Sequence, residues 1–295
     1  MHLDSKEKKT KEKYNDAAND SETPVIKASF WTQLKELSHR DARQLVRDVQ
    51  ALKIRFGATV FLNLIYGLIF LNAGRQDDGD KDEFGSHYGA IVMVSISSMF
   101  GAAQPMMLSF PFERPMFLRE YGTGTYSARA YFLSKWTLEL PLALAQVLTQ
   151  YIIVYNLIGF QGSFVQLVIA ALLNGVTASS LALVVGCAVP NVKTVTELAP
   201  LLFVPQLLFS GFFIRTELVP VFLRWAQYLC GLKYSLNLIV LTEFDPGNDN
   251  CSDSVAAATN CATLLSANQV HKEEYWIYLG LLLAVFFLFR ITAGF

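Results

Sequence analysis

The stretch that decides the fold runs from Leu140 to Val192, LPLALAQVLTQYIIVYNLIGFQGSFVQLVIAALLNGVTASSLALVVGCAVPNV, 53 residues without an Asp, Glu, Lys or Arg. A helix needs about 20 residues to cross bilayer hydrocarbon, and a charge at its centre costs at least about 2.5 kcal/mol. The run is therefore about twice as long as one crossing requires. Gly159-Phe160-Gln161-Gly162-Ser163 is its one turn-like segment, so the run reads as a hairpin of two membrane helices, about 138–159 and 164–189. Irregular backbone cannot face lipid, so each such run is expected to be helical.

The same criterion works outward. Gly57 to Ala73 gives a first span, and Tyr88 to Phe110 a second, closed by charges from Glu113 onward. Leu198 to Ile214 gives a short fifth span between Glu197 and Arg215, and 275–294 a sixth, whose Arg290 is expected to snorkel to the headgroups. Apolar residues make up 53% of the chain and charged ones 17%, which excludes an ordinary soluble domain. The expected fold class is an all-α membrane protein with six transmembrane helices.

Lys and Arg set the orientation. Residues 1–55 carry 12 of the 24, and the connector from Pro111 to Lys135 carries Arg114, Arg119, Arg129 and Lys135. Gly74 to Gly85 is instead rich in Asp and Glu. Both termini are therefore expected in the cytosol. Residues 1–28 are too polar to offset the entropy of folding and read as a disordered tail, with no apolar leader segment. Residues 29–56 show apolar positions three and four apart (Phe30, Leu34, Leu37, Leu45, Val49, Leu52, Phe56) and read as one amphipathic connecting helix, either an interfacial anchor or a contact surface for a cytosolic domain.

The segment 215–274 is expected outside, with short re-entrant helices in its first half. Cys251 and Cys261 lie beyond them, where a disulfide would persist. Asn250-Cys251-Ser252 matches a glycosylation acceptor. Cys187 and Cys230 read as packing residues.

Two stretches carry a family likeness. FPFERPMFLREYGTGTYSARAYFLSK at 110–135, and 205–244 with PQLLFSGFFI, RWAQYLCGLKYS and EF, resemble the membrane domain of G-subfamily, white-type ATP-binding-cassette half-transporters. The likeness covers residues 29–295. It implies that the connector after span two presses on a nucleotide-binding domain through Glu113, Arg114, Phe117, Leu118, Arg119 and Glu120. It also implies a drug- or lipid-sized cavity between two protomers, lined by Phe100, Phe203, Val204 and Leu207 and closed outward by Phe212 and Phe213.

No phosphate-binding G-x-x-x-x-G-K-[ST] occurs in the sequence, and residues 1–55 are too few to hold that domain. ATP and Mg are therefore expected on a partner domain, supplied by another polypeptide or by a longer form of this chain. The close at Phe295, without a basic tail, favours the latter. The four His are scattered away from Cys at ligand spacing, so neither metal nor enzyme chemistry is expected, and nothing points to nucleic acid. The reading is the membrane half of an ATP-driven exporter of lipids, sterols or other hydrophobic compounds. It would sit in the plasma membrane and act as a homo- or heterodimer. The alternative is a motor-free regulatory or scaffold partner of complete half-transporters.

Overall fold

The computed structural model describes residues 28–75, 81–189, 191–213, 220–244, 251, 255–267, 270 and 272–294. The tail to Lys27, the acidic residues 77–80, Arg215, Glu217 and the acceptor Asn250 lie outside them. Every regular element among the described residues is helical. In chain order these are α1 (Phe30–Arg47), α2 (Val49–Ile69), α3 (Lys81–Gly122), α4 (Ala128–Val154), α5 (Phe164–Ala188) and α6 (Val192–Leu208). The short α7 (Arg224–Gln227), α8 (Gly231–Glu243), α9 (Val255–Ala267) and α10 (Tyr275–Gly294) follow. Five segments are long and apolar enough to cross a membrane: Val49–Ile69, Phe84–Gly122, Ala128–Gly159, Phe164–Ala188 and Tyr275–Ala293.

The charge-free hairpin is α4 and α5, joined through a π turn at Tyr155–Gly159 in which Gly159 takes φ +83°. Around α5 the bundle assembles, and the reason is its small residues. Gly175 brings α3 so near that a β-carbon there would lie 3.2 Å from Ala102, while Gly186 faces Phe110 and Pro111 at ordinary contact distance. Without a hydrophobic drive between helices in lipid, such close approach and interhelical hydrogen bonds hold them together. Asn174 supplies the bonds, donating to the Ser95 carbonyl at 2.9 Å and to Ser98 at 3.1 Å.

Three boundaries differ from the sequence expectation. The connecting helix is not continuous over 29–56: it breaks at Asp48, whose carboxylate caps α2 by accepting from the Ala51 amide at 3.1 Å, so the span helix begins eight residues before Gly57. Span two does not end at Phe110, because α3 continues to Gly122 through Pro105, Pro111 and Pro115. Charges there end the crossing, but they do not disfavour a helix in water. The fifth helix is Val192–Leu208, six residues earlier than 198–214, since Lys193 and Glu197 sit exposed on its first turns and Gly211, at φ +93°, follows its end. Arg290 pairs with buried Glu139 of α4.

The re-entrant region is also more deeply built than expected. Every residue of α8 except Lys233 is buried, against α3, α5 and α10. Its last residue, Glu243, is fully buried and accepts from the Gln161 and Gly162 amides at 2.8 Å each, with His87 of α3 3.2 Å away. One carboxylate thus ties together α8, the α4–α5 turn and the start of α3. Cys251 and Cys261 are joined in a disulfide beside this end.

A Gly162→Ala β-carbon would sit 2.8 Å from both Glu243 Oε2 and the Thr242 carbonyl, whereas at Gly57 nothing lies within 4 Å. Gly162→Ala should destabilise by about 1–3 kcal/mol. Gly57→Ala, in the α2 helix, should stabilise by up to about 1 kcal/mol. Thermal unfolding of the two variants in detergent checks both, and equal midpoints would contradict the packing described.

Candidate functional site

The part of α3 after Phe110 forms, with α1 and the first turns of α4, a polar and aromatic hub. We call this the near end of the bundle, and the Glu243 end the far end. Ser127 caps α4 by accepting from the Ala130 amide at 3.3 Å, and its own amide donates to Gln33 of α1 at 3.0 Å. Helix α1 is thereby fixed across α4, with Leu37 buried against the aromatic cluster and Gln33 and Asp41 buried one turn to either side.

Two carboxylates of α3 point into this contact. Glu120 receives Arg40 of α1 in a forked pair, at 2.9 and 3.2 Å, together with the Tyr126 hydroxyl at 2.7 Å. Glu113 receives the Tyr131 hydroxyl and the Lys135 ammonium, both at 2.6 Å, and Lys135 also reaches Asp41 at 3.3 Å. Phe117, between the two carboxylates, stacks within 4.7 Å of Tyr131 and faces Phe110, Tyr121, Tyr126 and Phe132. Burial opposes the charge of Glu120, yet the hydrogen bonds from Tyr126 and Arg40 outweigh it and hold the carboxyl below its usual range. Burial likewise opposes the charge of Arg40, and Glu120 outweighs it, keeping the guanidinium firmly protonated.

The residues singled out in 113–120 therefore separate into two sets. Glu113, Phe117 and Glu120 face their own chain. Leu118 and Arg119 face outward, beside exposed Phe112, Met116 and Tyr121, while Arg114 is partly buried toward α5. Phe117 cannot at the same time fill a groove in another molecule. Sequence reasoning missed Arg40, Asp41, Tyr126, Tyr131 and Lys135. The spacing of Gln33, Leu37, Arg40 and Gln44 on one side of α1 was a signal for the first two, whereas nothing in the sequence pairs a tyrosine with a given carboxylate.

Farther along, Phe100 and Phe203 meet with ring centroids 5.1 Å apart, Phe203 being fully buried. Leu207 packs on the core, and Val204 is exposed with Leu201 and Leu208 along one stripe of α6. Phe212 lies against Tyr88 at 5.6 Å and Phe213 at 4.8 Å, and Phe213 is itself half exposed. The expected cavity and valve residues thus lie on α6, the turn after it and, for Phe100, the facing side of α3, partly closed within the chain.

A polytopic bundle of long apolar helices, the longest of which carries a braced, charged platform at one end, is an integral membrane domain. The chain matches the ABC-2 type transporter family over residues 32–244 and belongs to that family. It is 26% identical to Protein white of Drosophila melanogaster over 78% of this chain and 34% of that protein. It is 25% identical to ABC transporter G family member 4 of Arabidopsis thaliana over 90% of this chain and 47% of the relative. The corresponding values for the broad substrate specificity ATP-binding cassette transporter ABCG2 of Sus scrofa are 25%, 85% and 38%. The chain spans less than half the length of each of these relatives.

Because the folded pKa of Glu120 lies below an unfolded value of about 4.3, its contribution to the α1–α3 contact is complete above that value and lost as pH falls through the folded one. Spin labels at Lys35→Cys and Leu118→Cys, with Cys187 and Cys230 replaced by Ser, should keep one distance from pH 8 to 5 and broaden by pH 3. Glu120→Gln should broaden that distance at neutral pH. A distribution unchanged at pH 3 would count against the pairing.

Proposed function

We propose that this chain is the membrane-spanning part of an ATP-driven exporter of hydrophobic or amphipathic compounds, lipids and sterols among them. It works as a dimer with a nucleotide-binding domain from outside these 295 residues. The chain performs no catalysis of its own; ATP and Mg bind the partner domain. Supporting this is the family membership together with the near-end hub, which ties the connecting helix to the end of α3. A push on exposed Leu118 and Arg119 reaches α1 through the Arg40–Glu120 pair, α4 through Glu113 and Lys135, and the far end through α3 itself.

The excess of Lys and Arg in residues 1–55 and 111–135 favours the near end, and both termini, facing the cytosol, in the plasma membrane. The exposed apolar stripe Leu201, Val204 and Leu208 favours α6 as the face toward a second protomer, with Phe100, Phe203, Val204 and Leu207 bordering the substrate path. Phe212 and Phe213 stand at its outer end. An apolar path suits an apolar or amphipathic cargo, since a charged one would lose its hydration without gaining a partner.

The test supplies the ATP-binding part of the Sus scrofa relative to this chain in nanodiscs. Leu118→Ala with Arg119→Ala should weaken association about 30-fold, the size of one interface hot spot of about 2 kcal/mol. Glu120→Ala should leave association largely intact and abolish transport of a fluorescent lipid, by uncoupling α1. Wild-type association without any nucleotide-dependent transport would favour the regulatory reading instead.

A further inference from the structure

Beside the hub, at the same end of the bundle, α3, α4, α5 and α10 enclose a second group of charges that the chain leaves unfinished. Arg290 of α10 pairs through Nη2 with buried Glu139 of α4. Its guanidinium also lies 5.9 Å over Phe286, whose ring meets Trp136 at 5.9 Å. Five buried polar atoms here have no hydrogen-bond partner: Arg290 Nε and Nη1, Arg114 Nη1, Trp136 Nε1 and Glu139 Oε1. The charges of Arg114 and Arg290 both reach Cys187 at the end of α5, and Arg55 of α2 acts on Glu139 from another side. Arg290 and Arg55 thus both act on Glu139, Arg55 also donating to Gln146 at 2.7 Å, and among the five atoms four donors and one acceptor are left over.

Orphaned buried polar groups and unbalanced buried charge are both costly, so a cluster of them calls for a ligand that supplies the complement. The complement here is specific: an anion with several oxygens for the arginines and the indole N–H, and a hydrogen-bearing cation for Glu139 Oε1. The surroundings name its source. Arg290 keeps 13% of its side-chain surface exposed, on a helix whose adjacent Phe287, Leu288 and Ile291 are all exposed and apolar, as is Leu140 one residue beyond Glu139. On a helix of membrane-crossing length these are lipid-facing positions.

We propose that this cluster binds the headgroup of a phospholipid bearing a primary ammonium, drawn from the leaflet at the near end. The phosphate is taken by Arg290, Arg114 and Trp136, and the ammonium by Glu139. The acyl chains lie along Phe287 and Ile291. Choline would satisfy only half of the site, since its quaternary nitrogen carries no hydrogen to donate.

The experiment uses the full chain stripped of lipid in detergent, with phosphatidylethanolamine, phosphatidylcholine, phosphatidylglycerol or inorganic phosphate added. Native mass spectrometry counts retained lipid, and thermal unfolding reports the stabilisation. Phosphatidylethanolamine should be retained about tenfold more tightly than phosphatidylcholine, the worth of one charge-assisted hydrogen bond. Arg114→Gln and Trp136→Phe, which leave the Glu139–Arg290 pair in place, should each cut that retention severalfold without loss of the folded species. Equal retention of choline or glycerol lipids would overturn the proposal. So would unchanged binding in both variants, or stabilisation by inorganic phosphate equal to that by the lipid.

Discussion

Everything in this bundle depends on how closely α3 and α5 approach. In water two helices are pressed together by the apolar surface they hide, but in lipid that drive is absent and contact must come from fit and from polar bonds between backbones. Gly175 removes a side chain that would press on Ala102 and hold α3 away, and Asn174 fastens it to Ser95 and Ser98. Once the pair is formed, the remaining faces of α5 accept α8 and α10. Gly231 of α8 nests on Thr177, and the Ser235 hydroxyl donates to the Ala170 carbonyl at 3.2 Å. Helix α8, laid antiparallel along α5 from Thr177 to Ala170 and on to the turn at Gly162, can then be enclosed without exposing its polar backbone to hydrocarbon.

Polar side chains take up the ends of the bundle and give the two ends different characters. At the far end a single carboxylate, Glu243, is enclosed by two backbone amides and His87. This geometry holds three chain segments in register and leaves little freedom. The near end distributes its charge over Arg40, Asp41, Glu113, Glu120 and Lys135, partly exposed and bridged by tyrosine hydroxyls. Such pairs contribute modestly each, so the hub can yield under load where the far end cannot. A transporter domain needs that asymmetry if force is to enter at one end.

Membrane placement was legible in the sequence because charge in hydrocarbon is expensive. That rule located α5 and α10 almost to the residue, while α4 begins at Ala128, ten residues before the expected start. It failed where the question was helix rather than membrane. Glu113 to Glu120 stop the crossing, yet α3 runs on to Gly122. Lys193 and Glu197 were taken as limits, yet both are carried on α6. Asp48 looked like one more polar residue of an amphipathic helix and instead begins a new one. For the candidate site, the segment 113–120 stood out, but which of its side chains turn inward did not. That choice is made by Arg40, Tyr126 and Tyr131, whose positions depend on α1 folding back across α4, a tertiary event with no local signature.

The uninterrupted length of α3 has a mechanical consequence. From His87, against the Glu243 anchor, to Glu120, against Arg40, the helix extends about 50 Å at 1.5 Å per residue. A rod of that span pivoting where it crosses α5 behaves as a lever with arms of about 25 Å. A tilt of about 5° would displace each tip by about 2 Å, in opposite senses. Pro105, Pro111 and Pro115 all lie on the inner arm, so any bowing is concentrated there and the outer arm swings as a stiff unit. A thrust on the platform is thus partly taken up by the inner arm before it reaches the stiffer end beside Tyr88 and Phe212.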